Sequence, residues 1–266
     1  LIQEDTYKGE VVRNFFNNLI PENDVVKESI AAKYNARSTE AFDLLETIGR
    51  DCVGSLVFIP EGEEYKKDNS IRYNELSKSD IAKRLSKLSS DCPLGMEGGD
   101  FRISLAGMQE KTAFLKTSKG WAEPIGSTPT THIFKPAMNT LYNDIDLSDS
   151  VDNEWICLFI LRKLQFEVCD AEIETFGKHR VLVVKRFDRI YDDPEEEIHR
   201  IHQEDFCQAL GYPSHLKYQS QGGPGANDIA DLLSSSADSS DKLRLFTKFF
   251  NRLRVLQSRN IADIFA

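Results

Sequence analysis

Between residues 100 and 190 the chain alternates short β-type runs with one strongly periodic helix, and this alternation limits its fold more than any other feature. Phe101–Ala106 and Lys111–Lys116 read as strands flanking Gly107, and Thr131–Pro136 reads as a third. Arg180–Lys185 is a fourth, with the uninterrupted apolar run Val181-Leu182-Val183-Val184 of a buried strand. Between them Ser150–Leu164 carries Val151, Leu158 and Leu161 near the helical repeat, and Ser148, Asp149 and Ser150 offer N-cap oxygens.

The preceding hundred residues are mainly helical in pattern. Val11, Val12, Phe15, Phe16 and Leu19 fall at helical spacing within Lys8–Ala36, Pro21 breaks the run, and a second one from Asp24 carries Val25, Val26, Ile30 and Ala31. Thr39–Arg50 predicts a short helix ending at Gly49 as its C-cap. Cys52–Pro60 reads as a strand closed by proline, and the polar stretch Glu61–Asn69 as the boundary between subdomains. Ser79 is the expected N-cap of a helix over Asp80–Leu88. Further helices are expected near Gln203–Leu210, near Asn227–Ser234 and over Asp241–Leu256.

Of the 266 residues 40% are hydrophobic and 29% charged, enough for a sizeable core and, by length, for two packed subdomains. The net charge of −10 argues against a broad nucleic-acid surface, which needs clustered Lys and Arg, so DNA would be reached only through a basic partner. Cys52, Cys92, Cys157, Cys169 and Cys207 are scattered and lack CxxC spacing, which points to neither a disulfide framework nor zinc and makes a reducing cytoplasm the expected compartment. No window reaches the ~20 apolar residues of a membrane-spanning helix, and no secretory leader pattern is present. The first residue is Leu rather than Met, from which a start further upstream is expected.

Several residues could carry chemistry. The small residues Ala106 and Gly107 at a strand turn would let backbone N–H groups approach a phosphate, or serve only as a turn. Lys135 alternates with Phe134 on its strand and either meets an anion or reaches solvent from an edge. Glu154 interrupts the apolar stripe of its helix; it pairs with a cation such as Lys135 or lies on the flank of the stripe. The run from Val181 leaves its strand through Lys185, Arg186, Phe187, Asp188 and Arg189, where a nucleotide base could meet backbone and an acid could hold a ribose, or where Asp188 is simply solvated. Gln203-Glu204-Asp205 opens a helix. Asp192–Glu197 reads as a solvated hairpin loop and Gly222–Gly225 as an ordered turn, since no Gly-Lys-Ser/Thr follows. His199 and His202 stand three apart without further metal ligands.

Taken in order, these pieces resemble the HipA family of bacterial serine/threonine kinase toxins. The resemblance spans about Lys8 to Phe250 and rests on Glu10–Leu19, Phe42–Leu45, Ile48–Asp51, Ser104–Thr112, Pro129–His132, Ser150–Glu154, Arg186–Arg189, Gln203–Asp205 and Gly222–Gly225. It implies an α+β fold: an N-terminal α/β subdomain over residues 1–64, here partial, and a kinase-like part over 65–266 with an antiparallel N-lobe sheet and an incomplete helical lobe. It implies ATP with Mg2+ as cofactor. Lys135 would then hold phosphates with Glu154 as its ion-pair partner, and Ala106 and Gly107 would cover the nucleotide. Lys185 to Phe187 would be the hinge, with Lys185 where the family commonly has an acid, and Asp188 and Gln203 would line the site. Ser104 would be an autophosphorylation position whose added charge ejects its loop. The implied partners are a helix-turn-helix antitoxin of the HipB type, operator DNA through that antitoxin, and a protein substrate from the translation machinery.

After Phe250 the resemblance implies an Asp-Gly-His-x-x-Asn catalytic loop and a later metal-binding Asp, whereas the chain continues Asn251-Arg-Leu-Arg-Val-Leu-Gln-Ser-Arg-Asn260. A polypeptide truncated at both ends, without a catalytic residue or metal ligand of its own, is therefore expected.

Overall fold

The computed structural model describes residues 7–63, 70–88, 93–96, 101–107, 109–138 and 146–236. The expected helix over Asp241–Leu256 lies outside them. By their contacts, residues 19–161 with 167–203 form one compact unit, and residues 7–18, 162–166 and 204–236 belong to a second.

The larger unit is built on a six-stranded sheet in the order β1-β3-β2-β4-β6-β5. Its strands are β1 (Tyr73–Leu76), β2 (Thr112–Thr117), β3 (Gly120–Pro124), β4 (His132–Pro136), β5 (Ala171–Phe176) and β6 (His179–Lys185), and every neighbouring pair is antiparallel. Register sets Phe134 opposite both Thr112 and Val183, and Lys135 opposite Leu182. Because side chains alternate, one face gathers Phe114, Phe134, Phe176 and Trp121. The Phe114–Phe134 and Trp121–Phe134 ring centroids lie 5.0 and 4.8 Å apart, edge to face. Ring geometry adds about 0.5–1.5 kcal/mol per pair. Burying each ring contributes about 1.5–3 kcal/mol, so burial dominates.

Helices precede and interrupt the strands in sequence. α2 (Asp24–Tyr34) starts at Asn23, whose side chain accepts from the Val25 and Val26 amides; α3 (Ala41–Ile48) buries Leu44, Leu45 and Ile48. α4 (Lys78–Leu85) lies over the aromatic face, with Arg84 above the Phe114 ring and paired with Glu123. Its cap is Ser77 rather than Ser79: Ser77 and Asp80 form a reciprocal capping box, which starts the helix earlier and satisfies two amides. α5 (Ser150–Lys163) belongs to the opposite face, because Asp152 pairs with Arg180 at 2.6 Å on the side of β6 that carries Leu182. The hairpin of β7 (Arg189–Ile190) and β8 (His199–Arg200) brings Ile198 onto Leu115 and Ala122. Its loop is not merely solvated: Glu195 accepts from the Tyr73 hydroxyl at 2.9 Å and the Ser118 amide at 2.6 Å.

The smaller unit contains α1 (Glu10–Asn17), α6 (Phe206–Leu210) and α7 (Ala226–Ser236). Asn18 donates to the Tyr212 carbonyl at 2.9 Å and Gln208 to the Phe15 carbonyl at 3.2 Å, so side-chain amides join α1 to α6.

Two expected strands are absent. Phe101–Ala106 makes only isolated bridges on either side, Ile103 with Asp51 and Gly107 with Pro21. β2 pairs with β4 over Thr112–Phe114 and with β3 over Leu115–Thr117, and Phe101–Ala106 forms no hairpin with it through Gly107. Cys52–Pro60 is irregular because its backbone is spent elsewhere: the Cys52 carbonyl accepts from Arg186 and Arg189, both at 2.8 Å, and Gly54 turns the chain at φ +76°. Strands β1, β3 and β5 were not anticipated. The alternation of Ala171 and Ile173 with Glu172 and Glu174 before Gly177 was the available signal for β5.

Arg186 and Arg189 belong to a buried ionic cluster. Asp51 Oδ2 accepts from the Thr130 amide at 2.9 Å, the Thr130 hydroxyl at 2.6 Å and Arg186 at 3.1 Å, while Oδ1 accepts from Arg189 at 2.8 Å. Asp188 accepts from Arg186 at 2.7 Å, Arg189 at 2.8 Å and the Gly54 amide at 2.7 Å. Burial alone would raise the Asp51 carboxyl, but Arg186, Arg189 and Arg200 outweigh it and hold it well below the usual carboxylate range; Asp188 is lowered in the same way. Both groups therefore stabilise the fold fully above pH 3.8, their ordinary value, and that stability is lost as pH falls below it. Asp51→Asn should destabilise the chain by about 3–5 kcal/mol in urea unfolding at pH 7, because it leaves buried guanidinium groups uncompensated. An unchanged midpoint would contradict this role.

Candidate nucleotide site

At the end of β4, Lys135 Nζ donates to Glu154 Oε1 of α5 at 2.6 Å. The two side chains are 26% and 30% exposed. An ion pair this open contributes no more than about 1 kcal/mol to stability. Fold stability therefore gives little reason for placing it here, whereas an anion arriving at the sheet face would meet the lysine directly. α5 is held beside β4 by the Met138 amide, which donates to Ser150 Oγ at 2.9 Å, and by the Asp152–Arg180 pair.

The segment with Ala106 and Gly107 reaches the same place. Gln109 Nε2 donates to the Pro136 carbonyl at 3.2 Å, one residue beyond Lys135. Lys111 Nζ donates to the Ala106 carbonyl. Gly107 has φ +103°, and a Cβ there would stand 2.7 Å from Lys111 Nζ. Ser104 is fully buried, its amide donating to the Asp51 carbonyl at 3.1 Å.

The far end of β6 carries the residues expected to form a hinge. Lys185 lies opposite His132, three residues along β6 from Leu182, the partner of Lys135, or roughly 10 Å at strand spacing. That is about the reach of a nucleotide laid along the sheet. Lys185 is exposed, with Nζ 5.2 Å from the Tyr191 ring centre, and Phe187 is 74% exposed. Burial, with Lys116 and Lys185 nearby, lowers the His132 imidazole to about 4, so it is neutral at pH 7.

Asp188 departs from the sequence reading, in both its solvated and its ligand-holding form. It is 3% exposed and its oxygens are taken by Arg186, Arg189 and Gly54, because alternation along the strand exit turns Arg186 and Asp188 inward and Phe187 outward. Gln203 packs beside Gly54, where an added Cβ would sit 3.1 Å from its amide nitrogen. Its Oε1 is buried without a hydrogen-bond partner. The structure thus brings Ala106, Gly107, Lys135 and Glu154 to one end of the sheet and Lys185 and Phe187 to the other. Asp51, Gln109 and Lys111 escaped the sequence reading as contributors, since nothing local marks a distant carbonyl or guanidinium partner. Among the described residues no group of three His, Cys, Asp or Glu could hold a metal ion, and no helix is long and apolar enough to cross a membrane.

An antiparallel sheet with a strand lysine paired to a helix glutamate, next to a glycine-bearing segment and an exposed strand exit, is the arrangement of a kinase-like N-lobe. Family models agree: the HipA-like C-terminal domain matches residues 103–255 and the HipA N-terminal domain matches residues 1–59. The chain belongs to the HipA family. It is 33% identical over 239 residues to a protein named putative kinase Y4mE of Sinorhizobium fredii, covering 88% of this chain and 54% of that one. It is 29% identical over 232 residues to the serine/threonine-protein kinase toxin HipA of Shewanella oneidensis, covering 86% and 50% respectively. A solved complex of Shewanella oneidensis HipA, HipB and operator DNA contains a chain that superposes with a TM-score of 0.62 at 28% identity, covering 85% of this chain and 50% of that one. The chain thus spans about half the length of the relatives it matches.

Gly107→Ala should cost about 1–3 kcal/mol, because a non-glycine residue at φ +103° is strained and its Cβ displaces Lys111. Thermal unfolding of the variant checks this, and an unaltered melting temperature would count against the assigned backbone conformation.

Proposed function

We propose that residues 1–266 are the nucleotide-binding part of a HipA-type serine/threonine-protein kinase toxin. The Lys135–Glu154 pair at 2.6 Å carries the reading, supported by the segment at Gly107 tied to the end of the same strand. In this reading residues 1–64 form the N-terminal subdomain and 65–266 the kinase part, acting in the cytoplasm. Lys135 would hold phosphates of ATP-Mg, the backbone at Ala106 and Gly107 would cover them, and the backbone from Lys185 to Phe187 would meet the base. Gln203, with its unpaired Oε1, fits a site that offers a hydroxyl or amino donor. Asp188 is left out, since its oxygens are occupied. ATP supplies the transferable phosphoryl group, and Ser104 and a protein of the translation machinery are its proposed acceptors in a complete kinase. Ser104 is fully buried, so its segment would have to leave the core first.

Calorimetric titration with ATP-Mg should show binding, and Lys135→Ala should weaken it at least about tenfold, about 1.4 kcal/mol. Absence of binding to the parent chain would refute the reading. No Asp-Gly-His-x-x-Asn occurs in these residues, so the polypeptide 1–266 should incorporate no labelled phosphate from ATP-Mg above the Lys135→Ala background. Incorporation above that background would remove the catalytic part of the proposal.

A second reading is favoured by the structural neighbour, which was solved with HipB and operator DNA. In it the chain binds a HipB-type helix-turn-helix antitoxin and reaches DNA only through it, in keeping with a net charge of −10. Such a protein encoded beside this chain should co-purify with it at micromolar concentration, and the chain alone should not retain operator DNA. Failure to form the complex would remove this reading.

A further inference from the structure

The segment Ser104–Gly107 is gripped from two sides. On one side runs Leu19–Glu22, the stretch before α2. Ser104 Oγ donates to the Leu19 carbonyl at 2.7 Å, the Glu22 amide donates to the Gly107 carbonyl at 3.4 Å, and Gly107 forms an isolated parallel β-bridge with Pro21. On the other side Lys111 Nζ donates to the Ala106 carbonyl. Leu19, Ile20 and Pro21 are buried, as are Ser104 and Leu105.

Starting α2 does not require this contact. Asn23 alone caps the helix, accepting from the Val25 amide at 2.9 Å. The bonds to Ser104 and Gly107 are therefore additional, and they act on backbone. With the carbonyl of Ala106 engaged by Lys111, the peptide plane that carries the Gly107 N–H is oriented, because each peptide unit is rigid, and the Gly107 carbonyl is held as well. A backbone that is to receive a phosphate gains from having its N–H directions set beforehand, since little ordering is then left to binding. The same segment is anchored to Pro136 through Gln109, so its position relative to Lys135 is set as well.

We infer that Leu19–Glu22 is a clasp: a positioning element that holds Ser104–Gly107 in its nucleotide-receiving conformation and keeps the Ser104 hydroxyl out of solvent. The nucleotide half of this inference rests on the reading under Proposed function. The clasp lies in the part of the chain matched by the HipA N-terminal domain, whereas the segment it holds lies in the part matched by the C-terminal domain. It thereby gives the first part a direct hold on the site of the second.

The test compares the 266-residue chain with Ser104→Ala, which loses the bond to Leu19, and Glu22→Pro, which loses the amide donor to Gly107. Asp24→Asn, on the exposed start of α2, is the control. Amide hydrogen exchange is followed peptide by peptide, and ATP-Mg affinity is measured by calorimetry. Both variants should raise exchange across residues 103–107 about fivefold or more, leave exchange in β4 and β6 unchanged, and weaken ATP-Mg about fivefold. The control should change neither. Unaltered exchange at 103–107 in both variants overturns the clasp. Faster exchange with undiminished affinity overturns its positioning role. Where the parent chain itself binds no ATP-Mg, the nucleotide reading fails, while the exchange arm still decides whether the clasp exists. Should Glu22→Pro not fold, Ser104→Ala decides alone.

Discussion

Asp51 and Asp188 lie beneath the sheet's exit with Arg186, Arg189 and Arg200, and the rest of the larger unit is arranged around this buried charge. Taking an ion out of water costs several kcal/mol even after relaxation, so such a cluster persists only when nearly every oxygen and N–H has a partner. The partners here come from far apart in sequence: Thr130 before β4, the Cys52 carbonyl and Gly54 amide after α3, and the Ser127 carbonyl, which accepts from Arg200 at 2.6 Å. Burial and the neighbouring Asp51 raise the Cys52 thiol to about 12, so it adds no charge. The need to satisfy these groups explains why residues 52–60 are irregular rather than a strand. It also explains why the strand exit turns Phe187 outward.

From that constraint the candidate site follows in steps. Inward Arg186 and Asp188 anchor the end of β6, and the Arg186 amide donates to the Thr131 carbonyl at 2.9 Å, locking β6 to β4. The register of that pair then puts Lys135 opposite Leu182, on the face that receives α5. Glu154 meets the lysine there. The Asp51 carbonyl in turn accepts from the Ser104 amide, so the residue that balances the guanidinium groups also starts the segment leading to Gly107. Stability and candidate function thus share one residue, with the charged side chain serving the first and the backbone the second.

Much of this was legible in the chain. The runs read as strands over Thr131–Pro136 and Arg180–Lys185 are β4 and β6, and the helix read from Ser150 begins there, with the Ser150 hydroxyl accepting from the Met138 amide. The order of motifs led to the HipA family, and Lys135 and Glu154 could be nominated as a pair because each alone would be an awkward charge. What failed had a common cause. The strand expected over Phe101–Ala106 has the composition of one but meets its neighbours only in isolated bridges, and Asp188 has the look of a solvated turn acid but sits among guanidinium groups. Strand pairing and burial are properties of neighbours, and local sequence does not carry them.

The sequence by itself determined the alternation of apolar runs, the acidic balance and the family, all of which depend on residues within a few positions of one another or on their linear order. The tertiary structure alone decided which edges of β2 were occupied, that Asp51 closes a charge cluster with residues more than a hundred positions away, and that Leu19–Glu22 grips Ser104–Gly107. These are pairings between groups that meet only after the chain has collapsed. Each is settled by which partner remains available once water is excluded, and not by the preference of any residue for a conformation of its own.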